Sequence, residues 1–224
     1  MKTKQACNVF FMVIAMGFML FGGLFAAQVF GQGTDEATWI GGGTGNWNQA
    51  SNWRCNTGGI NFRQCVPSAG FDAGFGGISV TLDQSATVDA ANGGSLTIPG
   101  TSLTLTNPVS GGGFDTLTVT AGGSVTSASQ IGATTLNVNG GTLTAPSGLG
   151  FFAPNASIQN GTINTSLSTS SSLLLDGSQV SGGAYASGTF NISGSTITGG
   201  VANLDAQGAS TIANSTITES RIIQ

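Results

Sequence analysis

Between Gly93 and Ser220 one short phrase keeps returning, and its return leaves the chain few architectures to choose from. It reads GGSLTIP at 93–99, GGSVTSA at 122–128, GGTLTAP at 140–146 and NGTINTS at 160–166, then DGSQVSG at 176–182, SGSTITG at 193–199 and NSTITES at 214–220. With Gly94, Gly123, Gly141, Gly161, Gly177, Gly194 and Asn214 as markers, the steps from Gly123 onward are 18, 20, 16, 17 and 20 residues. A turn residue followed by alternating Ser/Thr and aliphatic positions, at a period near 18, is the pattern of stacked coils. The expected fold is all-β: a right-handed parallel β-solenoid, or β-helix, occupying 78–224.

The alternation inside each phrase points the same way. In ISVTLDQSATVDA (78–90), Val80 and Leu82 fall on one face of a strand, with Thr81 and Asp83 on the other. SLTI, SLTLT, DTLTVT, TTLNVN and GTLTA continue the period of two, and Gly-Gly or Asn-Gly pairs interrupt it where the backbone needs positive φ. Coils paired in parallel would bring the inward Leu, Val and Ile into continuous ladders. The stretch 145–160 (APSGLGFFAPNASIQN) breaks the rhythm, and Phe151 and Phe152 within it are expected to be core filler.

Composition narrows what such a stack could do. Only 6% of residues are charged, there is no histidine, and 37 glycines stand against five lysines and arginines. Disordered chains favour high net charge and few β-branched residues, which is the opposite balance. After Lys4 the only cations are Arg54, Arg63 and Arg221, so a basic nucleic-acid footprint is missing. Residues 1–31 read as a signal peptide: Lys2 and Lys4, a nearly unbroken apolar run from Val9 to Ala27, then small residues. Cys7 belongs to that segment. Cys55 and Cys65 remain, and an even pair in an exported chain reads as a disulfide closing a small loop.

Residues 32–77 carry all three tryptophans, Trp39, Trp47 and Trp53, and both remaining cysteines. A solenoid's first coil exposes apolar core and an unpaired strand edge, so aromatic residues clustered before the repeats fit an amino-terminal cap. The other role open to them is a sugar-binding surface, because flat aromatic faces stack on pyranose rings.

Within 38–90 the motifs TW-x-GGG-x-GNW-x-x-ASNW (Thr38–Trp53), VP-x-AG (Val66–Gly70), Asp72-Ala73 and VTLDQSATV (Val80–Val88) occur together. This stretch resembles the start of bacterial secreted or surface proteins carrying autotransporter-associated β-strand repeats; the downstream repeats are similar only in style. The resemblance implies a parallel β-solenoid outside the cell, usually without enzymatic activity. The Cys55/Cys65 loop departs from that pattern. So does the absence after Ser220 of any barrel, dockerin or sorting signal, which leaves open whether Gln224 ends the natural chain.

Parallel β-helices also host polysaccharide lyases and hydrolases. Lyases need a cationic base and calcium-holding carboxylates, and hydrolases need paired carboxylates. The repeats contain no lysine, and their acids (Asp83, Asp89, Asp115, Asp176, Asp205, Glu219) lie singly. Asp83 and Asp89 are the best candidates for a pair, and both read as turn or strand-face residues. GGISVTLD (76–83) and DAANGG (89–94) share ingredients with the calcium-binding nonapeptide but not its spacing. No catalytic residue, metal or cofactor is expected. Thr-x-Thr steps at 102–106, 116–120 and 142–145 could order water if they formed regular ladders, but LLLDGS (173–178) and AYASGT (184–189) interrupt them. They read as β-branched residues on a strand face.

The sequence therefore points to a non-catalytic, exported structural or adhesive surface protein. Its partners would be surface polysaccharide or other surface components, with membrane contact only through a signal peptide or a missing carboxy-terminal anchor. A carbohydrate-binding module of a larger polysaccharide-acting protein is the second reading, and a degenerate lyase or hydrolase the third.

Overall fold

The computed structural model describes residues 35–58, 61–146, 148–218 and 220–223. The expected signal peptide, Cys7, Glu219 and Gln224 lie outside them. The chain divides into units 1–33 and 34–224, and every described residue belongs to the second.

That unit is a β-solenoid of about eight turns, built from short strands and one 3-10 turn at Ala50–Asn52. Its strands form three faces. The first holds Asp35–Trp39, Phe71–Gly74, the opening halves of Ala90–Ile98, Gly112–Val119 and Ile131–Asn139, then Gly150–Phe152, Ser166–Thr169, the opening half of Ala184–Ser193, Ala202–Ala206 and Ser220–Ile223. The second holds Thr44–Asn46, Ser79–Thr81, the closing halves of the same long strands, Asn155–Gln159, Ser172–Asp176 and Thr211–Ala213. The third is a separate eight-stranded parallel sheet running from Ala86–Val88 through Ser102–Leu105, Ser124–Ser127, Thr142–Thr144, Thr162–Asn164, Gln179–Val180 and Thr196–Ile197 to Thr216–Ile217.

Register turns the period of two into ladders. On the second face Val80, Leu96, Leu117, Leu136, Ala156, Leu173 and Phe190 stack directly, with steps between 16 and 21 residues. On the third face Ala86, Leu103, Val125, Leu143, Ile163, Val180, Ile197 and Ile217 do the same. Leu96, Leu117, Leu136, Leu103, Val125, Leu143 and Ile163 are buried, and each such side chain contributes roughly 1.5–3 kcal/mol by leaving water. Phe151 is buried in the first-face ladder between Ile131 and Leu167, while Phe152 is half-buried.

The corner from the second to the third face explains the recurring phrase. A left-handed residue stands there in seven successive coils: Gly100, Gly122, Gly140, Asn160, Gly177, Gly194 and Asn214, with φ between 50° and 78°. Such φ costs a β-carbon about 1–2 kcal/mol, which is why only Gly and Asn occur. The expectation that Gly94 marks the same turn is corrected here. Gly94 sits between the first and second faces, where its N–H donates to the carbonyl of Gly76. The equivalent corner of that coil is Gly100, so the apparent 29-residue gap before Gly123 disappears.

The residue after this corner changes along the stack. Gly141 and Gly161 are bare because a β-carbon would come within 2.6 Å and 2.8 Å of the Val119 and Val138 methyls. Later coils place Ser178, Ser195 and Ser215 there. The Ser195 hydroxyl accepts the Ser178 N–H at 3.1 Å and donates to the Ser193 carbonyl at 2.8 Å. Ser215 repeats this one coil on, accepting the Ser195 N–H and donating to the Ala213 carbonyl. A hydrogen-bonded serine column thus takes over from bare glycine.

The amino-terminal end departs from parallel stacking. Asp35–Trp39 pairs in parallel with Phe71–Gly74 on one side and antiparallel with Trp53–Thr57 on the other, and Trp53–Thr57 then pairs antiparallel with Asn61–Gln64. This hairpin covers the edge of the first strand. Asp35–Trp39 and Thr44–Asn46 are already in parallel register with the coil above.

Candidate functional site

The three tryptophans form one packed group facing inward. Trp39, Trp47 and Trp53 are 6%, 1% and 0% exposed. Trp53 meets Trp39 and Trp47 edge-on, with ring centroids 5.0 Å and 4.9 Å away, and its indole N–H donates to the Trp47 carbonyl at 2.8 Å. Trp39 donates to the Gly42 carbonyl at 3.1 Å. Rings buried this deeply present no face on which a pyranose could stack. The aromatic column continues upward from Trp47 to Phe75 at 6.4 Å and from Phe75 to Phe114 at 6.2 Å. Gly93 lies between those two phenyl rings, where a β-carbon would come 2.5 Å from the Phe75 ring.

Cys55 and Cys65 form a disulfide across the base of the hairpin, with Cα atoms 5.9 Å apart. The exposed hairpin also carries Arg54 and Arg63, and the Arg54 guanidinium lies 5.2 Å from the centre of the Phe62 ring.

The two acids singled out as a conceivable pair are each engaged in holding loops. Asp83 accepts the Asn48 N–H at 2.9 Å; Asp89 accepts the Gly70 N–H at 3.2 Å and the Thr106 hydroxyl at 2.7 Å. Among the described residues no three of His, Cys, Asp and Glu are grouped so as to hold a metal ion.

What the molecule does present is two hydroxyl- and amide-covered faces. On the second face, Thr135, Asn137, Asn155, Ser157, Ser172, Thr189 and Asn191, together with the apolar Leu174 and Ala209, line a shallow groove of about 320 Å³. Ser172 donates to the Asn155 amide oxygen at 2.9 Å within it, and Thr211 donates to Asn191 at 2.8 Å nearby. On the third face the outward positions form two columns. One is Ser102, Ser124, Thr142, Thr162, Gln179, Thr196 and Thr216. The other begins Thr104, Thr126, Thr144 and Asn164, and continues through Ser181, Thr198 and Thr218, whose N–H groups donate to the carbonyls of Ile163, Val180 and Ile197.

Strict Thr-x-Thr steps do not recur in every coil, as expected: on this face only Thr142–Thr144, Thr196–Thr198 and Thr216–Thr218 carry one, but the interruptions are not the ones the sequence suggested. LLLDGS and AYASGT belong to the second and first faces, as does the 116–120 unit. Read face by face, the third keeps an uncharged polar side chain at both positions over seven strands, with Ser102, Ser124, Asn164, Gln179 and Ser181 in place of threonine. The signal was present in the sequence at every coil, two and four residues after the corner's left-handed residue. It was hidden because strands of other faces share its alternation.

The fold places the chain in the class of parallel β-solenoid proteins. No family model, curated protein or solved structure matches it.

Proposed function

We propose that this chain is a non-catalytic, exported structural or adhesive element of a cell surface. The observation that carries the reading is the continuous in-register stack, whose second and third faces present almost only uncharged Ser, Thr and Asn side chains. Such a stack resists bending through every coil, and its repeated weak contacts add along its length. The engagement of Asp83 and Asp89 with loop donors supports the non-catalytic part. Export rests on the character of residues 1–31, and surface placement on the resemblance of 38–90 to secreted proteins with autotransporter-associated repeats. Intact mass and fractionation of the native polypeptide test it. We expect a species processed near Gly31 outside the inner membrane; an unprocessed chain in the cytosol would overturn the reading.

A second reading, a carbohydrate-binding module, is favoured by the groove on the second face rather than by the tryptophans. Its amides and hydroxyls suit the hydroxyl groups of a neutral glycan, and Leu174 and Ala209 offer apolar contact to the ring carbons. Calorimetric titration with soluble polysaccharides, repeated on Asn155→Leu, would separate the two readings. Heat that this substitution removes without unfolding favours the module.

A further inference from the structure

We infer that the third face is a binding surface for an ordered lattice of water, that is, for ice. The inference goes beyond the surface role proposed above and does not depend on it. Its starting point is the two-column net of Ser102–Thr104, Ser124–Thr126, Thr142–Thr144, Thr162–Asn164, Gln179–Ser181, Thr196–Thr198 and Thr216–Thr218.

Strand geometry sets the dimensions of the net. Neighbouring coils repeat at about 4.7–4.9 Å, and positions two apart along a strand at roughly 6.6 Å. A cell of that size is covered by about three water molecules, taking about 30 Å³ for each. Behind the net runs an unbroken inward ladder of Leu103, Val125, Leu143, Ile163, Val180 and Ile197, the kind of side-chain ladder that holds a many-stranded sheet flat. Threonine predominates, and its β-branching restricts χ1, so methyls and hydroxyls are held in place before any ligand arrives.

A second observation is independent of the spacing. The hydroxyls of Thr104, Thr126, Thr142, Thr162, Thr196, Thr198 and Thr216 donate to no protein group among the described residues, and neither column contains a charged residue. The face therefore keeps its hydrogen-bonding capacity for water and has no ion to impose its own hydration shell. A flexible solute gains little from a fixed net. A solid that repeats in two directions matches it at many points at once, and the weak contacts sum. Crystalline polysaccharide is the less favoured solid, because no aromatic side chain lies in either column to stack on a sugar ring. The net is least regular at Asn164, which donates to the Thr144 hydroxyl at 3.4 Å, and at Gln179.

The test uses the purified full chain. Freezing hysteresis and adsorption to a growing ice hemisphere are measured for four proteins: the wild type, Thr126→Tyr with Thr144→Tyr, Asn164→Thr with Gln179→Thr, and Thr118→Tyr on the second face. Far-UV circular dichroism confirms that each is folded. We expect the wild type to adsorb, the double tyrosine variant to lose hysteresis by about tenfold, the threonine repair to gain it, and Thr118→Tyr to match the wild type. A wild type that neither adsorbs nor shows hysteresis overturns the inference. So does a double tyrosine variant as active as the wild type. Retention on crystalline cellulose or chitin without ice adsorption, abolished by the same tyrosines, would assign the face to a polysaccharide lattice instead.

Discussion

The amino-terminal end and the middle of the interior are filled in different ways. Near the amino terminus, Trp39, Trp47, Trp53, Phe75 and Phe114 occupy the space, and the first-face ladder beside them is small: Ala37, Ala73, Ala91, Gly112. Farther along the stack the tryptophans are gone, and that ladder enlarges to Ile131, Phe151 and Leu167. The same backbone column thus holds glycine at one coil and phenylalanine two coils on, the larger residues lying beyond the reach of the tryptophans. Each aliphatic rung is one of many equivalents, whereas each tryptophan has no neighbour that could replace it.

Substitutions at the two regions should separate these modes. Trp53→Ala should cost about 3–5 kcal/mol and, because Trp39 and Trp47 both rest on it, lower the midpoint of urea unfolding for the whole stack. Leu136→Ala, in the middle of the repeats, should cost about 2–4 kcal/mol. Its opening, read by hydrogen exchange, should spread first to the adjacent coils 112–127 and 150–164, since a repeat stack couples mainly to nearest neighbours. If Trp53→Ala instead destabilised only the hairpin, the contrast between the two regions would fail.

Removing the disulfide with Cys55→Ala and Cys65→Ala should cost roughly 2–3 kcal/mol for so short a loop. Reduced protection confined to 53–64 would identify the hairpin as a local cover. Loss of protection up to Phe114 would make it a true cap.

The corner offers the smallest and sharpest comparison. Ser195→Ala should cost about 1–3 kcal/mol, because it leaves the Ser178 N–H without its acceptor. Asn160→Ala should cost about 1–2 kcal/mol at φ 50°, and Asn160→Gly should be close to neutral.

These contrasts also show what could be read from the chain alone. The alternation in SLTLT or TTLNVN makes inward and outward residues plain, and the recurring Gly or Asn marks a corner. The number of faces was harder to see. Ala90–Ile98 and Ile131–Asn139 each cross two faces without a break in strand, so the sequence shows one run where the structure has two sides. Gly94 resembles the corner glycines for that reason although it lies inside Ala90–Ile98, and the third-face threonines share their alternation with threonines of the other faces. Trp47 and Trp53 carry the opposite lesson. Their clustering is visible, but whether they point inward depends on small residues elsewhere, such as Ala73 and Ala91, that leave them room.

Coils stacked in register bring residues 114 positions apart to within six coil spacings of each other. Spin labels at Ser102→Cys and Thr216→Cys, in a Cys7→Ser background, test this stacking directly. Both positions belong to one column, six coils apart. Pulsed dipolar spectroscopy should give a narrow distance distribution centred near 28–29 Å, shortening to about 19 Å when the second label is moved to Gln179→Cys. A broad distribution, or a distance that does not shorten by two coil spacings, would contradict the stacked, in-register solenoid.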